Sequence, residues 1–243
     1  MASNTSLLAL TCGDSYGAPY EKEGLAGVRF NIEDLPDRII KPLVTDDTKM
    51  SMILLKHYKR YKTLHVESLL QEYKTWAKED GLQDGIGIHT REILMQNKTD
   101  KNSQGNGALM RVLPFGVQLI KDGYGFEEAV RLMNADSAIT HDNETIFMAN
   151  KLALDIALSG LNVLEKPIYR KIITKLHLGS SAWVIHSLYI VIEALKKDLS
   201  FLEGFKYIVS YGGDTDTNCA IYGAIKGAKE DIRDSMKVEE FLM

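Results

Sequence analysis

The chain has 243 residues, of which 45% are hydrophobic and 26% charged, and its 29 basic and 33 acidic side chains give a net charge of −4. This composition is typical of a folded soluble protein and excludes an intrinsically disordered chain. No basic cluster occurs, so we do not expect nucleic-acid binding through charge. A chain of this length buries enough surface to fold without disulfides, and we predict one domain over residues 1–243.

The cysteine content and the amino terminus predict a cytoplasmic protein. Cys12 and Cys219 are too few for a disulfide framework and lack the CxxC spacing of zinc sites, and we interpret both as small buried hydrophobes. The first residues lack the basic region of a signal peptide. The most apolar segment, 182–195, is shorter than the roughly 20 residues of a membrane helix. We therefore expect no contact with a membrane.

Helical patterns dominate the chain, whereas the alternating pattern of strands is scarce. Residues 49–61 and 64–78 are predicted helices with charged outer faces. Apolar residues between Ile146 and Leu158 recur at helical spacing. Residues 200–203 form a capping box that predicts another helix start. Together these patterns predict an all-α bundle of roughly eight to ten helices.

The predicted helix after Asp216 carries small residues on one face. These are Ala220, Gly223, Ala224, Gly227 and Ala228. Glycine costs about 1 kcal/mol relative to alanine inside a helix, so a compensating interaction is required. Close approach of a neighbouring helix backbone would supply it, and we predict a central, tightly packed helix.

Residues 81–87 and 98–107 are the clearest loops, and the connections between helices are expected to be short. The second loop leads directly into the apolar segment 108–120. Such a loop can present backbone N–H groups to a phosphate, or it can be an ordinary surface loop. Both interpretations remain open.

Two segments, 45–48 and 212–217, concentrate aspartate and threonine ahead of predicted helices. Helix capping needs one side-chain oxygen per helix, whereas four aspartates with threonine hydroxyls match the oxygen ligation of Mg²⁺. The residues alone leave two interpretations open, a two-metal hydrolase and a structural role for the aspartates. The GxxxxGK[ST], GxSxG and HExxH motifs do not occur.

Five segments, taken in order, resemble the ADP-ribosylglycohydrolase family, which includes the enzyme that reactivates ADP-ribosylated dinitrogenase reductase. They are residues 13–21, 45–50, 105–111, 140–143 and 212–218. The resemblance implies a compact, orthogonal, all-α helical bundle with a binuclear metal site in a central cleft. It also implies two Mg²⁺ ions, with Mn²⁺ as an alternative, and hydrolysis of an ADP-ribosyl bond.

The resemblance assigns roles to individual residues. The implied metal ligands are Thr45, Asp46, Asp47, Asp214, Asp216 and Thr217. The implied substrate-binding residues are Glu21, Gly105, Asn106, Gly107, Ala108, Leu109, Met110 and His141. We expect the first helix to hold Glu21 near the metals, with Asp14 in a supporting position. For Arg111, a buried ion pair and a phosphate contact remain open.

The implied reaction is hydrolysis of the anomeric C1″ bond of an ADP-ribosylated protein side chain or ADP-ribose conjugate, releasing ADP-ribose. The catalytic residues would be Asp46 or Asp47, which orients or deprotonates water, and Glu21, which protonates the leaving group. Two alternatives remain open, a catalytically inactive ADP-ribose-binding or toxin-occluding module and a two-metal phosphoesterase. The acceptor is not predicted. Without a heptad pattern we expect a monomer.

Overall fold

The structure, a computed structural model, describes residues 4–96 and 98–238. Residues 1–3, which belong to the amino terminus considered above, and residues 97 and 239–243 lie outside the described residues. The described part is all-α and has no β-strand, which confirms the predicted fold class. Its single β-bridge joins Gly105 to Trp183. Among the described helices, none combines the length and the hydrophobicity needed to cross a bilayer.

The α-helices are numbered in chain order. They are α1 (Thr5–Gly17), α2 (Glu21–Leu25), α3 (Asp46–Tyr61), α4 (Val66–Glu79), α5 (Ile88–Gln96), α6 (Leu109–Lys121), α7 (Phe126–Ser137), α8 (Glu144–Ser159), α9 (Arg170–Ile173), α10 (Val184–Lys196), α11 (Phe201–Ser210) and α12 (Thr215–Lys226). Within the described residues, ten of these helices have nine residues or more. The described residues thus form twelve α-helices, more than the roughly eight to ten predicted, because α2 and α9 are short helices of five and four residues that hydrophobic spacing cannot indicate.

The local helix signals correspond to observed helices. Helices α3, α4 and α8 occupy the segments predicted from hydrophobic spacing. The capping box is present at α11, where the Ser200 hydroxyl accepts from the Glu203 amide and the Glu203 carboxylate accepts from the Ser200 amide. The expectation of uniformly short connections is wrong, because residues 26–45 join α2 to α3 with only a short 3₁₀ turn.

Helix α12 is the buried centre of the described fold, as predicted. All of its residues from Thr215 to Ile225 are buried, and it packs along α1. A Cβ atom added at Gly223 would lie 2.2 Å from the carbonyl oxygen of Ala9. In the opposite direction, a Cβ at Gly13 would lie 2.2 Å from the carbonyl oxygen of Cys219. Glycines on both helices therefore allow backbone contact between them.

We predict that Gly223→Ala destabilises the protein, because the new methyl group must push α1 away from α12. Overpacking of this kind costs about 1–3 kcal/mol, more than the helix propensity that alanine contributes. Denaturant unfolding followed by circular dichroism measures the change. Gly125→Ala is the control, since no atom lies within 4 Å of a Cβ added there. A wild-type free energy of unfolding for Gly223→Ala would contradict the packing argument.

Candidate functional site

A cleft of about 420 Å³ lies at the amino-terminal end of α12, between α2, the loop before α5 and the loop before α6. Its polar lining consists of Glu21, Asp46, His89, Thr90, Ser103, Asn106, His141, Asp214, Asp216 and Thr217. Four of these side chains are carboxylates, and no lysine or arginine is found among the described lining residues. Acidic groups therefore predominate in the lining of the cleft, and no basic lysine or arginine side chain offsets them there.

The two predicted ligand segments meet in this region. The hydroxyl of Thr217 lies 3.3 Å from Oδ2 of Asp47, although the two residues are 170 positions apart in the chain. Carboxylate oxygens of Glu21, Asp214 and Asp216 all lie within 4.8 Å of one another. Both segments open helices, so the positive ends of the α3 and α12 dipoles point at the carboxylates and partly offset their repulsion.

Asp14 holds the first segment in place, as expected for a supporting residue. It is fully buried on α1, and its carboxylate accepts hydrogen bonds from the Thr45 amide at 2.9 Å and the Thr48 hydroxyl at 2.5 Å. The Thr45 hydroxyl lies 2.8 Å from the other Asp14 oxygen. Burial raises the pKa of Asp14 to about 6 despite these hydrogen bonds. Asp14 thus fixes the turn that presents Asp46 and Asp47.

Asp46 and Asp47 differ in their surroundings. Asp46 lines the cleft, and its carboxylate accepts a hydrogen bond from the Gly87 amide at 3.2 Å. Asp47 is only 1% exposed, and its Oδ1 atom has no hydrogen-bond partner among the described residues. An unpaired buried carboxylate oxygen is costly. A hydrogen-bond donor or a cation at Oδ1 would therefore stabilise Asp47.

Glu21 lies beside the second segment but not on the first helix, which corrects the prediction. Helix α1 ends at Gly17, a 3₁₀ turn follows, and Glu21 is the first residue of α2. Burial raises the pKa of Glu21 to about 7, with further contributions from the negative charges of Asp214 and Asp14. Burial is the larger of these two causes, and the repulsion comes from neighbouring carboxylates.

The pKa values of three further buried carboxylates are also raised. Burial is the main cause for Asp46, Asp47 and Asp216, and neighbouring carboxylates add to it. On the other side of the cleft, the side-chain amide Nδ2 of Asn106 donates to Oδ2 of Asp214 at 2.9 Å. Neutral donors such as this amide do not balance the total negative charge. The cluster is chemically suited to a divalent cation with oxygen ligands.

The predicted substrate-binding residues divide into two groups. Gly105, Asn106, Gly107, Met110 and His141 line the cleft together with Glu21. Ala108 and Leu109 are completely buried and belong to the hydrophobic core, so their side chains are not part of the cleft wall. They lie where the chain turns into α6, which directs these apolar groups inward.

The loop before α6 uses two of its amides internally. The backbone N–H of Asn106 donates to the carbonyl oxygen of Ala182 at 2.9 Å, and the backbone N–H of Gly105 donates to the Ser103 hydroxyl at 3.1 Å. Neither amide is free to bind a phosphate. The loop is instead attached to the segment before α10, which closes one side of the cleft.

Arg111 forms a buried ion pair with Asp136, which decides between its two interpretations. Its Nε atom donates to Asp136 Oδ2 at 2.8 Å, and both side chains are completely buried. Further hydrogen bonds run to the Gly107 carbonyl at 2.9 Å and the Thr140 hydroxyl at 3.0 Å. Arg111 therefore supports the cleft wall from behind.

The same network sets the protonation of His141. Because the Thr140 hydroxyl accepts from Arg111, its proton is available to His141 Nδ1 at 2.8 Å. This assigns the remaining proton to Nε2, the atom near Gly105 and Gly107. Burial, followed by the charge of Arg111, lowers the pKa of His141 well below its usual value. His141 is therefore a neutral N–H donor in the cleft.

His89 is a cleft residue that sequence reasoning missed. It lies in the first turn of α5, its Nε2 atom is 2.8 Å from the Thr140 carbonyl oxygen, and its ring contacts that of His141. No motif marked this helix start, so spacing gave no signal. The interpretation of the cysteines is confirmed: Cys12 and Cys219 are both buried, and burial raises the pKa of the Cys12 thiol to about 12.

Comparison with known proteins identifies the family of this chain. The ADP-ribosylglycohydrolase family profile matches residues 4–233. A protein of Acanthamoeba polyphaga mimivirus that carries the name of an ADP-ribosyl glycohydrolase is 24% identical over 94% of this chain and 86% of its own. The ADP-ribosyl-[dinitrogen reductase] glycohydrolase of Rhodospirillum rubrum is 25% identical over 94% of this chain and 85% of its own.

A solved structure described as an ADP-ribosylglycohydrolase-related protein complex has a similar fold. The TM-score is 0.71 at 19% identity, and the match covers 98% of this chain and 93% of the other. At this identity the likeness concerns the fold alone. The family match, in contrast, extends over nearly the whole sequence. The chain therefore belongs to the ADP-ribosylglycohydrolase family.

Proposed function

We propose that this protein is a divalent-cation-dependent hydrolase that cleaves the anomeric C1″ bond of an ADP-ribosylated side chain or ADP-ribose conjugate and releases ADP-ribose. One observation carries the proposal. The carboxylates of Glu21, Asp214 and Asp216 converge in a cleft whose described lining contains no lysine or arginine. Such a cluster requires a counter-charge, and membership in the family supplies the class of reaction.

The donor set fits hard cations. The residues that would hold them are Thr45, Asp46, Asp47, Asp214, Asp216 and Thr217, with Glu21 adjacent. These donors are carboxylates and hydroxyls, which Mg²⁺ and Mn²⁺ prefer, whereas zinc sites usually include histidine or cysteine. The unpartnered Oδ1 of Asp47 supports the same assignment. When bound, two such cations would supply positive charge that orients ribose hydroxyls and favours loss of a proton from water.

The chain's own groups would perform the remaining steps. Asp46 lines the cleft and would orient or deprotonate the attacking water. Glu21 stands beside Asp214 and would donate a proton to the departing side chain. Cleavage at C1″ develops oxocarbenium-like positive charge on the ribose. The Nε2–H group of His141 would donate to an oxygen of the ligand.

We predict that Mg²⁺ or Mn²⁺ raises the melting temperature of protein that has been stripped with EDTA. Relief of carboxylate repulsion stabilises the folded state, by about 2.7 kcal/mol when the cation is present at 100 times its Kd. Differential scanning calorimetry measures the shift. Asp216→Asn should reduce it, whereas Asp234→Asn, at an exposed position outside the cleft, should leave it unchanged. A melting temperature that does not change when either cation is added would count against the metal assignment.

We predict that Asp47→Asn and Asp216→Asn each reduce ADP-ribose release by at least about 100-fold, a loss typical of removing a directly participating group. The measurement is product analysis with arginine-, serine- and nucleotide-linked ADP-ribose, each with Mg²⁺ and with EDTA. Circular dichroism checks that the variants remain folded. Full activity in both variants would refute the assignment of the site.

The same assay separates the alternative functions. A two-metal phosphoesterase would release AMP instead of ADP-ribose. An inactive ADP-ribose-binding or toxin-occluding module would bind ADP-ribose stoichiometrically without metal-dependent turnover. The orphaned oxygen of Asp47 gives no advantage to a protein that only occludes a ligand, so we favour the hydrolase.

A further inference from the structure

Two imidazole rings lie side by side outside the carboxylate cleft. His177 is on the connection before α10 and His186 is in the first turn of that helix. Their Nε2 atoms are 3.2 Å apart, and neither residue lines the cleft. His177 is exposed and His186 is partly exposed, so solvent ions can reach the pair.

The outer nitrogens of both rings already have partners. Nδ1 of His177 lies 2.8 Å from the Lys175 carbonyl oxygen, which can only accept, so this nitrogen carries the proton and Nε2 has a free lone pair. Nδ1 of His186 lies 2.9 Å from the Ser181 hydroxyl, which can accept its proton in the same way. Histidines that bind metals characteristically donate their second N–H to a carbonyl or similar oxygen.

The separation of the rings fits one shared cation. With metal–nitrogen bonds of about 2.05 Å, the 3.2 Å between the Nε2 atoms corresponds to an angle of about 100° at the metal, close to tetrahedral. Packing keeps the rings in this arrangement. The Gly179 backbone lies against His186, where a Cβ atom would come within 2.1 Å of the ring, and Trp183 contacts both imidazoles.

We propose that His177 and His186 form a second cation site, selective for zinc-class transition metals such as Zn²⁺, Ni²⁺ or Cu²⁺, with water at the remaining positions. Neutral imidazoles prefer these metals, whereas the all-oxygen cleft prefers Mg²⁺ or Mn²⁺. Burial lowers the pKa of His186, which keeps the ring in the neutral form that binds metals. The histidine pair and the carboxylate cleft would therefore bind different classes of cation, because one offers imidazole nitrogens and the other only oxygen ligands.

The cation would connect the segment 177–183 to α10. That segment contributes Ala182 to the cleft wall, and Trp183 forms the bridge to Gly105. A metal at the histidine pair would consequently brace one wall of the cleft without touching the carboxylates.

The test is a Zn²⁺ titration in excess Mg²⁺, followed by calorimetry and by NMR of the imidazole nitrogens. Wild-type protein should bind one equivalent, with changes at the signals of His177 and His186. His177→Gln, at an exposed position, should weaken zinc binding by at least about tenfold. Removing a residue that only contacts a metal ligand already costs about 10–100-fold in affinity, so removing a ligand should cost no less. His65→Gln, which alters another exposed histidine, should bind zinc as the wild type does.

Three outcomes would overturn the proposal. The first is wild-type protein that takes up no zinc in excess Mg²⁺, since the pair would then be a simple hydrogen bond. The second is unchanged zinc binding in His177→Gln. The third is loss of this zinc equivalent in Asp216→Asn, which would assign the ion to the carboxylate cleft. Asp216→Asn that keeps the zinc equivalent supports two independent sites.

Discussion

Burial of several neighbouring carboxylates is the constraint on which the rest of this structure depends. Asp14, Asp46, Asp47, Asp214 and Asp216 are all at most 7% exposed. Such a group is stable only if the surrounding fold holds it and a positive charge accompanies it. Two helix amino termini provide part of that charge, and the proposed divalent cations would supply the remainder.

The α1–α12 contact supplies the mechanical support. Glycines at positions 13, 17 and 223 let the two backbones touch, and the Thr215 hydroxyl donates to the Gly17 carbonyl at 2.8 Å. The same helix α1 carries Asp14, which fixes the turn before α3. One tight helix pair therefore sets the position of both acidic segments, 45–48 and 212–217. The arrangement of the cleft carboxylates therefore depends on the packing of small residues between α1 and α12.

Sequence reasoning succeeded where the cause is local. The capping box at Ser200, the apolar spacing of α8 and the small residues of α12 are short-range patterns that survive in the fold. The convergence of Asp47 and Thr217 was one of two interpretations open from the residues, and the order of motifs favoured it, because no local rule brings such distant segments together. The placement of Glu21 on α2, the inward direction of Ala108 and Leu109, and the cleft position of His89 depend on tertiary packing. Hydrophobic periodicity carries no information about them.

The buried Arg111–Asp136 pair has a consequence for how this protein can change during evolution. The Arg111 guanidinium donates hydrogen bonds to the Asp136 carboxylate, the Gly107 carbonyl and the Thr140 hydroxyl. Loss of one member of such a pair costs about 3–5 kcal/mol, a large share of a typical domain's stability. Sequence change in the cleft lining is therefore expected at its solvent-facing rim, for example at Leu25 and Ile88, which are 39% and 71% exposed. The inner wall should stay invariant while the rim diversifies.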